Sequence, residues 1–172
     1  TSIKIAMRET NDFDPVKAQV YRANFSDAPR HFRQGDVWAL DAADLPATAD
    51  LAWASSPCQD FSLAGGRAGL KGGRSSAFFG FWRLVEALNG EGRAPRTIVV
   101  ENVSGLFTSH GGADFTALCA ALAGEGYRFG ALEIDAARFL PQSRPRAFVI
   151  AVKDDPPAEL VGESSFQTRL VR

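Results

Sequence analysis

The chain has 172 residues and a net charge of −1, with 45% of its residues hydrophobic and 23% charged. That composition suits one globular domain large enough to bury a substantial core. It excludes a disulfide framework, because there are only two cysteines, Cys58 and Cys119, so a reducing compartment is expected. No apolar run approaches the ~20 residues of a spanning helix. The opening TSIKIAMRET lacks a basic start, an apolar centre and a small-residue cleavage site. The expectation is a soluble, cytoplasmic protein. Near-neutral charge is uninformative about nucleic acid, since a basic face can be balanced elsewhere.

Ile3, Ile5 and Met7 alternate with polar neighbours and predict a strand. Asp14-Pro15 reads as an N-cap followed by proline at the first helical position, opening a helix to about Phe25. Asp36 to Leu40 is a short strand or turn candidate, and Leu51 to Ala54 a buried strand. Phe78, Phe81, Trp82, Val85 and Leu88 recur at helical spacing. Thr97 to Val100 is a continuous apolar run of β-branched residues, as in a central parallel strand. Phe115, Leu118, Cys119 and Leu122 mark a further helix, closed by Gly124 or Gly126. Phe129 to Ile134 and Ala147 to Val152 are the last strand candidates. This alternation predicts an α/β fold, a mostly parallel sheet with helices on both faces. The domain is expected to span 1–152, with a linker or the start of a following region at 153–172.

Three chemical segments fall at predicted strand ends: Pro57-Cys58-Gln59, Glu101-Asn102-Val103 and Gln142-Ser143-Arg144-Pro145-Arg146. Parallel strands bring their carboxyl ends to one edge, where open α/β sheets bind ligands. Cys58 and Glu101 can therefore share a cleft though far apart in sequence. The arginines precede their strand, so they join that edge only if it runs antiparallel. Each residue taken singly has a plainer reading. Most lone cysteines are small buried hydrophobes, and Cys119 is read so; Glu101 alone suits a helix start, and the arginines a solvated face. It is the three segments together, in this order and spacing, that shift the reading. A thiol, a carboxyl and two guanidinium groups suit nucleophilic attack on an electron-poor ring held beside phosphates. The glycine-rich LAGGRAGLKGGRSS lacks the Gly-Lys-Ser/Thr ending of a phosphate-cradling nucleotide loop. Its Arg67, Lys71 and Arg74 are candidate phosphate contacts.

These residues resemble the cytosine-5 DNA methyltransferase family. The match rests on PCQDFS (Pro57 to Ser62), ENV (Glu101 to Val103) and QSRPR (Gln142 to Arg146), the last fitting a Gln-x-Arg-x-Arg pattern. NDFDP (Asn11 to Pro15), YRANF (Tyr21 to Phe25), GDV (Gly35 to Val37) and the run from Gly73-Arg74 into Phe78-Phe79 extend it. The resemblance implies a Rossmann-like, class I S-adenosylmethionine-dependent methyltransferase fold, here incomplete. It implies methyl transfer to C5 of a flipped cytosine in double-stranded DNA, with S-adenosylhomocysteine as product and no metal. Cys58 would attack C6 as a thiolate, Glu101 would hold or protonate N3, aided by burial, and Arg144 and Arg146 would orient the ring carbonyl and the Cys58/Glu101 pair. The methyl donor would lie against Asp12 (ribose), Phe13 (adenine face), Asp36 and Val37 (adenine edge) and Pro57. DNA contacts are implied at Gln59, Ser62, Arg74, Asn102 and Gln142. Asp14 also has a simple role as helix cap.

The family's N-terminal glycine-rich turn is missing from TSIKIAMRET, and so is the target-recognition region after Arg146. The chain is therefore expected to be part of a longer bacterial-type enzyme, monomeric and partnered in function by a restriction endonuclease. The alternatives are an RNA cytosine methyltransferase of the same architecture and a catalytically silent nucleic-acid-binding fragment.

Overall fold

A computed structural model describes residues 8–55 and 77–156. The expected strand around Ile3 to Met7, and Pro57, Cys58, Gln59, Ser62 and Arg74, lie outside the described residues.

A four-stranded sheet forms the centre. Its strands are β3 (Leu51–Ala54), β4 (Thr97–Asn102), β5 (Arg128–Asp135) and β6 (Pro145–Val152), in the spatial order β3-β4-β6-β5. β3 and β4 are parallel, whereas β6 runs antiparallel to both of its neighbours, β4 and β5. The two shortest strands, β1 (Thr10–Asp12) and β2 (Phe32–Gln34), form a separate parallel pair.

β4 is central because its β-branched residues suit a strand buried in the sheet. Ile98 and Val100 are fully buried. The helix α2 (Ala77–Gly90) sends Phe78, Trp82 and Val85 onto them, and α3 (Ala113–Gly124) adds Leu118 and Leu122. Val149 and Ala151 of β6 close the same core. On the opposite face, Leu51, Trp53 and Ile150 are exposed. α3 stops where Gly126 takes φ +77°, a conformation glycine adopts without strain. The N–H groups of Gly126 and Tyr127 then satisfy the carbonyls of Ala123 and Leu122. Cys119 on α3 is half-buried and its thiol pKa is pushed up by burial, which suits a packing residue.

The helix α1 (Pro15–Asn24) begins as its sequence predicts. Asp14 Oδ1 accepts from the N–H groups of Val16 and Lys17, and Pro15 occupies the first turn. The stretch Asp36 to Leu40 resolves into a 3₁₀ turn over Val37–Ala39, capped by Asp36 through the N–H of Trp38. Among the described residues no helix is long and apolar enough to cross a membrane.

Candidate active site

The antiparallel course of β6 decides what the site contains. β3 and β4 end at the same edge, and β6 begins there. In register, Glu101 lies opposite Phe148 and Asn102 opposite Ala147, one residue past Arg146. Arg146 thereby turns its guanidinium to the carboxylate, with Nε 2.9 Å from Glu101 Oε1. The pair is not sealed from water, for the Glu101 side chain is 22% exposed and that of Arg146 20%. Arg146 Nη1 also donates to the carbonyl of Pro145 at 2.8 Å. Asn102 is buried, and its Oδ1 accepts from the N–H of Val103, fixing the turn that leaves β4.

A cavity of about 360 Å³ opens at this edge, within the size range of small-molecule sites. From β4, β6 and the connection before β6 its lining takes Glu101, Asn102, Arg144 and Arg146. From the ends of β1 and β2 and the turns after them it takes Asp12, Phe13, Asp36 and Val37. Ser55 and Ala77 also line it, and these two residues bracket the segment that holds Cys58. Gln142, exposed in the connection before Arg144, is outside the lining.

The second group of lining residues is held by backbone bonds and by the Asn11 amide. Gly35 N–H donates to the carbonyl of Asp12 at 3.1 Å, continuing the β1–β2 pairing. Asn11 Nδ2 donates to the carbonyls of Arg33 and Gly35, at 3.1 and 3.0 Å. The turns after β1 and β2 are thus held side by side, with the Asp12 and Asp36 carboxyls on one cavity. Asp12 Oδ1 accepts from Asp14 N–H, and Oδ2 lies 3.6 Å from Lys17 Nζ. Phe13 is 70% exposed. α2 approaches so closely that a Cβ on Gly80 would stand 2.6 Å from Val37 Cγ1 and 3.2 Å from Trp38 Nε1.

Asn11, Gly35 and Lys17 stand in segments whose neighbours carry the sequence prediction, so their position was a readable signal. Asp135 was not singled out. Its carboxylate accepts from Ala137 N–H (3.0 Å), Arg144 N–H (2.7 Å) and Ser143 Oγ (2.8 Å). Those bonds hold its pKa below the usual aspartate range, against a small opposing effect of burial. Among the described residues no group of three or more His, Cys, Asp or Glu side chains is placed to hold a metal ion.

Two acidic turns, an exposed aromatic residue and an acid–guanidinium pair line one cavity at strand ends. This is the layout of an α/β fold that binds a nucleoside-bearing ligand at its sheet edge. The chain belongs to the C-5 cytosine-specific DNA methylase family, whose profile matches residues 2–170. It is 30% identical over 149 residues to the type II methyltransferase M.NgoBI of Neisseria gonorrhoeae, covering 86% of this chain and 44% of that one. To the type II methyltransferase M.BsuFI of Bacillus subtilis it is 31% identical over 147 residues, covering 85% and 34%. The chain thus spans less than half the length of these relatives. The fold is shared with the Schizosaccharomyces pombe Dnmt2 methyltransferase at a TM-score of 0.64 and 22% identity, over 88% of this chain and 43% of that one. A putative DNA modification methyltransferase from an Escherichia coli prophage gives 0.61 and 24%, over 87% and 42%.

Proposed function

We propose that this chain supplies the catalytic and cofactor-binding part of a DNA (cytosine-5)-methyltransferase acting on a cytosine flipped out of duplex DNA. The observation that carries the reading is the Glu101–Arg146 contact at a cavity lined also by Ser55 and Ala77, between which Cys58 falls in sequence. S-adenosylmethionine fits the residues present. Asp12 and Asp36 offer acceptors for a ribose diol and an adenine edge, Val37 an apolar flank and Phe13 a stacking face; Pro57 follows the lining residue Ser55 closely in sequence. When bound, the cofactor supplies an electrophilic methyl group at C5 of the target base.

The protein's own part is to make C5 nucleophilic. A Cys58 thiolate adds to C6, since only the ionised sulfur attacks. Charge pushed onto the ring is drawn off where Glu101 meets N3, and a positioned acid–base group contributes about 10²- to 10⁴-fold. Arg146 holds the Glu101 carboxyl in place, and Arg144, lining the same cavity, faces the ring carbonyl. Loss of the C5 proton to water then expels Cys58. Flipping the base costs a few kcal/mol, offset by contacts along Gln59, Ser62, Arg74 and Gln142 and by the local frame that Asn102 fixes. The type II names of the relatives support a place beside a restriction endonuclease.

The test is radiolabelled methyl transfer by the intact gene product to duplex DNA and, in parallel, to transfer RNA. With DNA containing 5-fluorocytosine, the wild type is expected to form a covalent adduct and Cys58→Ser none, while DNA affinity stays within a few-fold. Transfer to RNA alone, or an adduct with the serine variant, overturns the reading.

A further inference from the structure

We infer that Asp135 is a positioning residue for the site, holding the β5–β6 connection so that Arg144 and Arg146 meet the cavity in the correct register. Its catalytic consequence rests on the function proposed above; its structural consequence does not.

The antiparallel ladder between β5 and β6 pairs Asp135 with Pro145 and Ile134 with Arg146. At the next step outward, Ala136 N–H still donates to the carbonyl of Arg144 at 3.3 Å. The return bond, from Arg144 N–H to Ala136, is missing from the ladder. The Ala136 carbonyl is already occupied, accepting from the N–H groups of Phe139 and Leu140, both at 2.8 Å. Those bonds form the 3₁₀ turn over Ala136–Arg138 that opens the connection. The turn thus takes the acceptor on which Arg144 would otherwise depend.

Asp135 restores the balance. One carboxylate oxygen caps the turn through Ala137 N–H and takes the displaced Arg144 N–H at 2.7 Å. The other accepts the Ser143 hydroxyl at 2.8 Å. Both ends of the connection are therefore fastened to one side chain. Bonds from backbone N–H to a charged carboxylate are among the stronger ones. Arg144 lines the cavity, and Arg146, two residues on, is aimed at Glu101. Asp135 touches neither the cavity nor Glu101 and acts only through this backbone.

Three variants separate geometry from charge. Asp135→Asn keeps the shape and the oxygen that takes both N–H groups. Asp135→Glu keeps the charge but moves the oxygens by a methylene. Asp135→Ala removes both. In the 172-residue chain, amide exchange at Arg144 is expected to quicken at least about tenfold in the Ala and Glu variants and to stay near wild type in Asn. The Arg146 Nε–H resonance, read by nitrogen-15 NMR, is expected to shift in the same two variants. In the intact gene product, methyl transfer should fall by about 10²-fold in Glu and Ala, the loss associated with a misplacement of about an ångström. It should recover to within a few-fold in Asn, with S-adenosylmethionine affinity unchanged. Should the Ala variant fail to fold, the Asn–Glu contrast carries the test. Unchanged Arg144 exchange in Glu, or equal damage in Asn and Glu, overturns the inference. Changed exchange with no methyl transfer even in the wild type leaves it standing and overturns the proposed function.

Discussion

Glu101 and Arg146 meet through strand register, and chemistry at that pair is the most direct thing to perturb. Glu101→Gln keeps a side chain of the same shape and a carbonyl oxygen for Arg146 Nε, but it loses the acid. If the carboxyl assists at N3, single-turnover methylation should slow by about 10²- to 10⁴-fold. Cofactor affinity should hardly change, since the proposed cofactor contacts are Asp12, Phe13, Asp36 and Val37. A purely structural Glu101 would instead lower the melting temperature and weaken all ligands together. An unchanged transfer rate removes Glu101 from the mechanism. That the two could share one edge was legible in the sequence as a condition on strand direction, because the three chemical segments fall at strand ends in a compatible order; neither residue was legible singly. Asp135 was not legible, because an aspartate before a turn looks like any other cap. Its importance appears only when the Ala136 carbonyl is seen to be occupied elsewhere.

Helix α2 and the turn after β2 are coupled through Gly80. A glycine inside a helix costs about 1 kcal/mol relative to alanine, so Gly80→Ala would stabilise an isolated helix. Here the added methyl would lie 2.6 Å from Val37 Cγ1, and a β-branched valine has little rotamer freedom with which to yield. Overpacking of this kind typically costs about 1–3 kcal/mol. The expected result is a small net loss of stability together with a displaced Val37. Cofactor affinity should drop more than the melting temperature implies, as read by calorimetric titration beside thermal melts. Full affinity in Gly80→Ala means that Val37 does not shape that part of the cavity. The longer elements were legible from periodicity and composition: α2 from its aromatic spacing, β4 from its β-branched run, α1 from its cap. β1 and β2 were not, since TND and FRQ are too short to show alternation and Phe32 is their one apolar residue. Backbone pairing and the Asn11 amide hold them instead.

An apolar run does not declare its direction, so the antiparallel course of β6 could be stated only as a condition from sequence and is supplied by the sheet. Once β6 runs that way, the sheet has two unlike ends. One gathers the cavity; the other is fastened by polar clamps. At the fastened end Tyr127, 3% exposed, donates its phenol proton to the carbonyl of Pro95 at 2.7 Å. Lys153 Nζ lies 4.6 Å from the Tyr127 ring centroid and donates to Asn89 Oδ1 and to the carbonyl of Glu125. Burial, with a smaller contribution from the Glu125 charge, raises the Tyr127 pKa from 10.0 to about 12. The folded state therefore keeps a proton that the unfolded chain releases. This contribution to stability is complete below pH 10.0 and is lost as pH rises toward about 12. Tyr127→Phe removes the phenol and leaves the Pro95 carbonyl without its donor, at a cost of about 1–3 kcal/mol near neutral pH. Because the variant cannot titrate there, the stability gap between the two proteins should narrow steadily through that alkaline window. Urea unfolding of both proteins at matched pH values measures the gap. A gap that stays constant from neutral pH to the upper end of the window would show that the Tyr127 phenol is not held protonated by the fold.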